Sequence, residues 1–176
     1  MRGPFAIVQK RPSVVECEPE ITDMFNIVLV NPEIPPNTGN ISRTCAVTGT
    51  RLHLIRPLGF EINDKTLKRA GLDYWKDLDV SYYDSFEELE AKYSDGRFFL
   101  TSTHAVRSYA DVEYRDGDFL VFGRETAGLG PELLTRRARD AIRIPMRHDQ
   151  RSLNLSNSAA IVLYEALRQT GFQGLE

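Results

Sequence analysis

The sequence predicts an α/β fold: a mainly parallel central sheet of about six strands with helices on both faces. Three observations point there. Short apolar strands and amphipathic helices take turns along most of the chain. The strand runs IVLV and FLVF are continuously apolar rather than alternating, as strands covered by helices on both sides require. Finally, 176 residues with 41% hydrophobic and 27% charged side chains are ordinary globular values, enough chain to bury a real core.

The elements follow in order. Residues 1–23 carry scattered proline and charge with no sustained period and read as an N-terminal extension, partly disordered, ahead of a single domain over 24–176. From Phe25, FNIVLV is a first strand, NPEIPPNTGNISR a loop, 41–47 a helical stretch and RLHLI a second strand. A helix near 65–70 and a strand near Val80 come next. Ser85 with Glu88 three residues on is a capping-box signature for a further helix. The strands RFFLTST and DFLVFG, a short helix opened by Pro131, the strand AIRIP and a last helix over about 157–169 complete the pattern.

That last helix is unusual. Ala159, Ala160, Ile161, Val162, Leu163, Tyr164, Ala166 and Leu167 leave it almost no polar face, so it needs cover on two sides. In so small a domain the second cover is expected from another subunit, a homodimer through the C-terminal helix region.

Several classes are disfavoured. No apolar run is long enough for a bilayer span and no tripartite signal peptide is present, so the expectation is a cytoplasmic protein without membrane contact. Cys17 and Cys45 lack zinc or redox spacing and read as free thiols, with no metal implied. FGRETAGLG is not GxGxxG and no GK[ST] follows, which counts against nicotinamide and P-loop enzymes. There is no GxSxG elbow. Of His53, His104 and His148, only His148 beside Asp149 resembles a catalytic pair, and adjacent residues seldom face each other productively.

The net charge of -3 argues against gripping nucleic acid by bulk charge, so any such role needs local clustering. Arg136, Arg137, Arg139, Arg143, Arg147 and Arg151 fall within sixteen residues, opposed there by Asp140 and Asp149. The cluster is either a solvated face or a phosphate-contacting stripe.

Ligands of open parallel sheets bind beyond the C-terminal strand ends, which directs attention to the loops after Val30, Leu100, Phe122 and Ile144. The first holds three prolines and delivers Asn40 and Arg43 to the first turn of a helix. Arg43 is a permanent fork donor suited to a phosphate, an oxyanion or an internal ion pair. In FGRETAGLG, Gly123, Gly128 and Gly130 permit positive φ or close approach of a ligand to the backbone. The third loop, IPMRHDQRSLNLSN, holds more Ser and Asn than capping by Ser156 or Asn157 consumes, and the remainder favours a site.

Taken together, PPNTGNISRTCAVTG, FGRETAGLG and IPMRHDQRSLNLSNSAAIVLYEALRQ resemble the three ordered motifs of the SPOUT class of RNA methyltransferases, over about 24–171. LKRAGLDYW at 67–75 resembles the subfamily that methylates the ribose 2'-oxygen of the wobble nucleotide, cytidine or modified uridine 34, of certain tRNAs. The resemblance implies a C-terminal trefoil knot, a dimer, a tRNA partner and S-adenosylmethionine as cofactor, with S-adenosylhomocysteine as product and no metal. It assigns cofactor contacts to Leu100, Gly123, Glu125, Ile144, Met146, Ser152 and Leu153. Arg43 and Asn154 would be catalytic, and Asn40, Arg124, Arg147 and Arg151 would meet the substrate, with Glu125 steadying Arg43 or another arginine. Guanidinium stays protonated, so Arg43 would stabilise the forming alkoxide or orient a phosphate rather than act as a base. A 2'-O-methyltransferase for another tRNA position or rRNA, and a non-catalytic RNA-binding module of the same fold, are the competing readings.

Overall fold

A computed structural model describes residues 24–61 and 78–176. The helix expected near 65–70, the LKRAGLDYW motif and Cys17 lie outside the described residues.

Among the described residues the sheet has six strands, all parallel: β1 (Asn26–Val30), β2 (Arg51–Ile55), β3 (Val80–Tyr83), β4 (Phe98–Thr101), β5 (Phe119–Phe122) and β6 (Ala141–Ile142). Their spatial order is β3-β2-β1-β5-β4-β6. The chain steps outward from β1 to β3, crosses to β4, returns to fill the place beside β1 with β5, and ends outside β4. Such a reversal opens a crevice at the C-terminal strand ends.

Alternate residues of each strand face opposite sides, so the continuous apolar runs supply two cores. Ile27, Leu29, Leu52, Leu54, Phe99, Leu120, Phe122 and Ile142 line one face beneath α1 (Pro35–Thr48) and the last helix, α4 (Leu155–Gln169). Val28, Ile55, Phe98, Leu100, Phe119 and Val121 line the other, packed with Phe86 and Leu89 of α2 (Phe86–Lys92) and with Leu133 and Leu134 of α3 (Pro131–Arg136).

The helix boundaries have local causes, and two correct the sequence reading. In α1 the two prolines occupy the first helical positions, where their missing N–H groups have no helical partner to lose. The helix therefore begins at Pro35 and not near 41, which moves Asn40 and Arg43 from its first turn to the second and third. It ends at Gly49, in the left-handed region at φ 69°, whose N–H bonds the Cys45 carbonyl. In α2 the Ser85 hydroxyl accepts from the Glu88 N–H at 3.1 Å, while the Glu88 carboxylate accepts from the Asp84 N–H at 2.7 Å. In α4 the cap is Asn154, not Ser156 or Asn157, so the helix starts two residues earlier than expected. α4 returns from the sheet edge at β6 to pack against α1 and β5.

Candidate binding and methyl-transfer site

A cavity of about 510 Å³ opens at the C-terminal ends of β4 and β5, bounded by the first turns of α1 and α4. Three loops meet there: 101–104, 123–129 and 144–154. Its apolar wall includes Phe122, Leu129, Leu134, Ile144 and Leu155.

The β5 loop is a tight reversal in which the Arg124 N–H bonds the Gly128 carbonyl at 3.1 Å and the Gly128 N–H bonds the Arg124 carbonyl at 2.8 Å. Gly128 sits at φ +65°, a conformation that favours glycine. Gly123 is required for a different reason: a Cβ there would lie 2.1 Å from the Gly128 carbonyl carbon. The loop's own backbone, rather than a ligand, occupies the space its side chain would need.

Glu125 sits at the N-terminal end of α1. Its carboxylate accepts from the backbone N–H groups of Glu33 at 2.8 Å and Ile34 at 3.1 Å and from the Asn37 side chain at 3.0 Å. The N-cap residue Ile34 has no side-chain oxygen, so a carboxylate from 91 residues away takes up the exposed donors at the positive helix end. Glu33 returns the contact, accepting from the Thr126 hydroxyl at 2.7 Å. Buried Asn37 then links to α4, its carbonyl oxygen accepting from the Asn154 Nδ2 at 2.9 Å. Asn154 Oδ1 in turn accepts from the N–H groups of Ser156 and Asn157. One chain of side chains thus ties all three motif-bearing segments together.

Of the residues expected to bind, Gly123, Arg124, Glu125, Ile144, Met146, Arg151, Ser152, Leu153 and Asn154 line the cavity. Leu100 does not: its side chain is fully buried in the core, and Thr101, Ser102, Thr103 and His104 line the wall after it. Asn40 and Arg43 are exposed on α1 outside the lining. Arg147 also lies outside and reaches Asp149 at 3.5 Å. Glu125 holds the end of α1 in place of the arginine contact anticipated for it.

The arginine cluster divides. Arg136 pairs with Glu87 at 3.0 Å and Glu90 at 2.6 Å, and Arg137 pairs with Glu90 and Asp140. Both are committed to the acidic face of α2 and leave the proposed phosphate stripe. Among the described residues Arg124, Arg139, Arg143 and Arg151 form no ion pair.

Sequence reasoning missed Asn37, Glu33 and Thr101. The signal for the first two was a helix opened by Pro-Pro behind an Ile cap, which must obtain its cap from elsewhere. Thr101 ends β4, and its buried hydroxyl has no hydrogen-bond partner among the described residues. Among the described residues no group of His, Cys, Asp and Glu is placed to hold a metal ion, and no helix is long and apolar enough to cross a membrane.

Comparison with known proteins places this geometry in context. The profile of the SpoU rRNA methylase family matches residues 24–164. The tRNA (cytidine(34)-2'-O)-methyltransferase of Saccharophagus degradans is 51% identical over 152 residues, covering 86% of this chain and 99% of its own. A structure described as giving insight into the 2-OH methylation of C/U34 on tRNA superposes with TM-score 0.79 at 45% identity, covering 85% of this chain and 97% of that one. The SpoU methyltransferase AviRb from Streptomyces viridochromogenes, in complex with the cofactor AdoMet, gives TM-score 0.72 at 26% identity, covering 84% of this chain and 61% of that one.

Proposed function

The chain belongs to the SpoU rRNA methylase family, and from that premise we propose that it transfers a methyl group from S-adenosylmethionine to the ribose 2'-oxygen of nucleotide 34, cytidine or modified uridine, in tRNA anticodon loops. The observation that carries the reading is the convergence of the three motif-bearing segments on one cavity through the Glu125, Asn37 and Asn154 chain. The relatives named for this activity, alike over nearly their whole length, support the choice of nucleotide.

The residues fit the cofactor. The volume is within the range of small-molecule sites, the walls combine apolar side chains such as Phe122, Leu129 and Ile144 with polar ones such as Ser152 and Asn154, and the Thr101 hydroxyl, without a partner among the described residues, offers a bond to a bound polar group. When bound, S-adenosylmethionine supplies the electrophilic methyl on a sulfonium. Gly123, Ile144, Met146, Ser152 and Leu153 hold it, and Glu125 fixes the loop that covers it. Leu100 supports that wall from the core.

Transfer to a ribose hydroxyl would form a C–O bond as the methyl's C–S bond breaks, leaving neutral S-adenosylhomocysteine and passing the hydroxyl proton to solvent, so the protein's part is to position the nucleophile. Arg43 stands six residues along α1 from Asn37, about 9 Å, and is exposed to an incoming RNA chain. Its guanidinium stabilises the developing negative oxygen or holds the adjoining phosphate. Asn154 orients the ribose with the N–H that Asn37 leaves free, and Asn40, Arg124, Arg147 and Arg151 serve the substrate.

The protein acts in the cytoplasm as a homodimer of one domain, 24–176. Supporting the dimer, α4 leaves Ile161 36% and Tyr164 46% exposed, with Phe172 beside Tyr164 and Val47 of α1 57% exposed. The return of α4 from the β6 edge to α1 and β5 is compatible with the trefoil knot carried by the resemblance.

Incubation with labelled S-adenosylmethionine and total tRNA, followed by mapping of the labelled nucleotide, tests reaction, cofactor and position together. Label at a residue other than 34, or none, overturns the assignment. Arg43→Ala is expected to lower turnover by about a thousandfold, roughly 4 kcal/mol of transition-state stabilisation, with cofactor affinity unchanged; full turnover removes Arg43 from the mechanism.

A further inference from the structure

The rim of the cavity continues outward along residues 102–108, a stretch the reaction as described does not use. It is firmly held. The Ser102 N–H bonds the Ile142 carbonyl at 2.9 Å, the His104 N–H bonds the Ser102 hydroxyl at 3.2 Å, and Ala105 is tucked in at 8% exposure. Beyond the tip, the Arg143 N–H bonds the Arg107 carbonyl and the Tyr109 N–H bonds the Arg143 carbonyl, both at 2.9 Å. Ser108 and Arg143 form a parallel bridge. A segment pinned at both ends nevertheless leaves Val106 97% exposed.

A singly exposed valine means nothing by itself. Its surroundings give it meaning. On the cavity side lie Thr103 and His104, which line the mouth. On the other lie Arg107 and Arg143, neither in an ion pair among the described residues. Residues 102–110 contain no acid. The nearest acids in sequence are Asp111, which offers Arg107 its backbone carbonyl at 3.2 Å, and Glu113, whose carboxylate meets Arg115 at 3.4 Å. Arg136 and Arg137, in contrast, are neutralised by Glu87, Glu90 and Asp140.

We propose that His104, Val106, Arg107 and Arg143 form a docking strip for the single-stranded RNA that flanks the methylated nucleotide, with the two guanidinium groups on phosphates and Val106 against the face of a neighbouring base. The inference rests on the reading of the substrate as an RNA loop and extends it to particular residues. Two guanidinium groups without an ion pair among the described residues, beside an apolar tip, match the alternating charge and flat apolar faces of an unstacked strand. Position supplies the rest, because a ribose entering the cavity mouth draws its neighbouring nucleotides across this rim.

The experiment measures binding of an anticodon stem-loop RNA to the full chain by fluorescence anisotropy between 50 and 200 mM salt, about the range over which phosphate contacts are resolved. Arg107→Ala/Arg143→Ala is expected to weaken binding ten- to hundredfold at the low-salt end. It should also flatten the slope of log affinity against log salt by about 0.7 per lost contact. Val106→Gly should weaken binding about threefold with the slope unchanged. Arg136→Ala/Arg137→Ala should bind as the unaltered protein does. An unchanged slope in the first variant overturns the strip, as does an equal loss in the last. Cofactor binding by calorimetry, unchanged throughout, shows the cavity intact. RNA binding that depends on the strip without methyl transfer sinks the activity and keeps the strip; methyl transfer by Arg107→Ala/Arg143→Ala with full RNA affinity does the reverse.

Discussion

Two hydrogen-bonded networks of similar size in this molecule have opposite fates. Under α2, His53 lies between the Asn26 side chain, 3.0 Å from Nε2, and the Tyr83 hydroxyl, 3.2 Å from Nδ1. All three residues are buried, and the Asn26 Nδ2 donates onward to the Gly117 carbonyl at 3.1 Å. At the other network, Asn37 is buried between Glu125 and Asn154, but both of those partners line an open cavity. The closed network spends its donors and acceptors on the protein and becomes structure. The open one leaves groups facing a space large enough for a small molecule.

Protonation sharpens the contrast. Burial, with Arg51 and Lys92 adding repulsion, pushes His53 down from 6.5 to about 3, so it stays neutral at any physiological pH. A histidine in that state holds strands together and takes no part in proton transfer.

The contrast can be broken by mutation. The largest expected effect is at Asn37→Ala, which strands the Asn154 amide and loosens Glu125. Methyl transfer should fall at least a hundredfold, roughly 2.7 kcal/mol, while thermal stability falls modestly. Transfer near the level of the unaltered protein would mean that the three loops hold their places without the chain of bonds.

His53→Leu should show the complementary pattern. Removing the imidazole from the Asn26 carbonyl and from the Tyr83 hydroxyl, which keeps Lys92 Nζ at 3.4 Å, costs about 2 kcal/mol of stability by denaturant unfolding, with activity per folded molecule preserved. Lost activity at full folding would make the two networks one.

The last test is the pH dependence of stability. His53 titrates lower in the fold than in the unfolded chain, so its contribution is complete above pH 6.5 and lost as pH falls towards about 3. Asp118 has the opposite sign: burial raises it from 3.8 to about 6, so its contribution is complete below 3.8 and lost as pH rises to about 6. Asp118→Asn should therefore steepen the rise of stability between pH 4 and 6, and His53→Leu should flatten it. Unfolding free energies that keep the same slope in both variants would show that neither group governs it.

Much of this was legible in the sequence because its causes are local. A period of two or of 3.6 residues, a Ser85 and Glu88 pair within one helical turn, and apolar runs such as FLVF each act over a few residues. The same locality explains the errors. Arg136 and Arg137 looked free because the acids that hold them, Glu87 and Glu90, lie more than 45 residues earlier. The prolines before Asn37 looked like loop because the cap that lets a helix start there comes from Glu125.

The sequence by itself determined the order of strands and helices, their two-sided burial and the segments that bear chemistry, since these follow from steric and hydrophobic preferences of near neighbours. Tertiary structure alone decided which polar groups saturate one another and which are left facing a cavity. That choice depends on distances between residues far apart in the chain, as when Gly128 closes over Gly123 or Asn154 reaches Asn37 across 117 positions, and packing settles those distances only once the sheet has assembled.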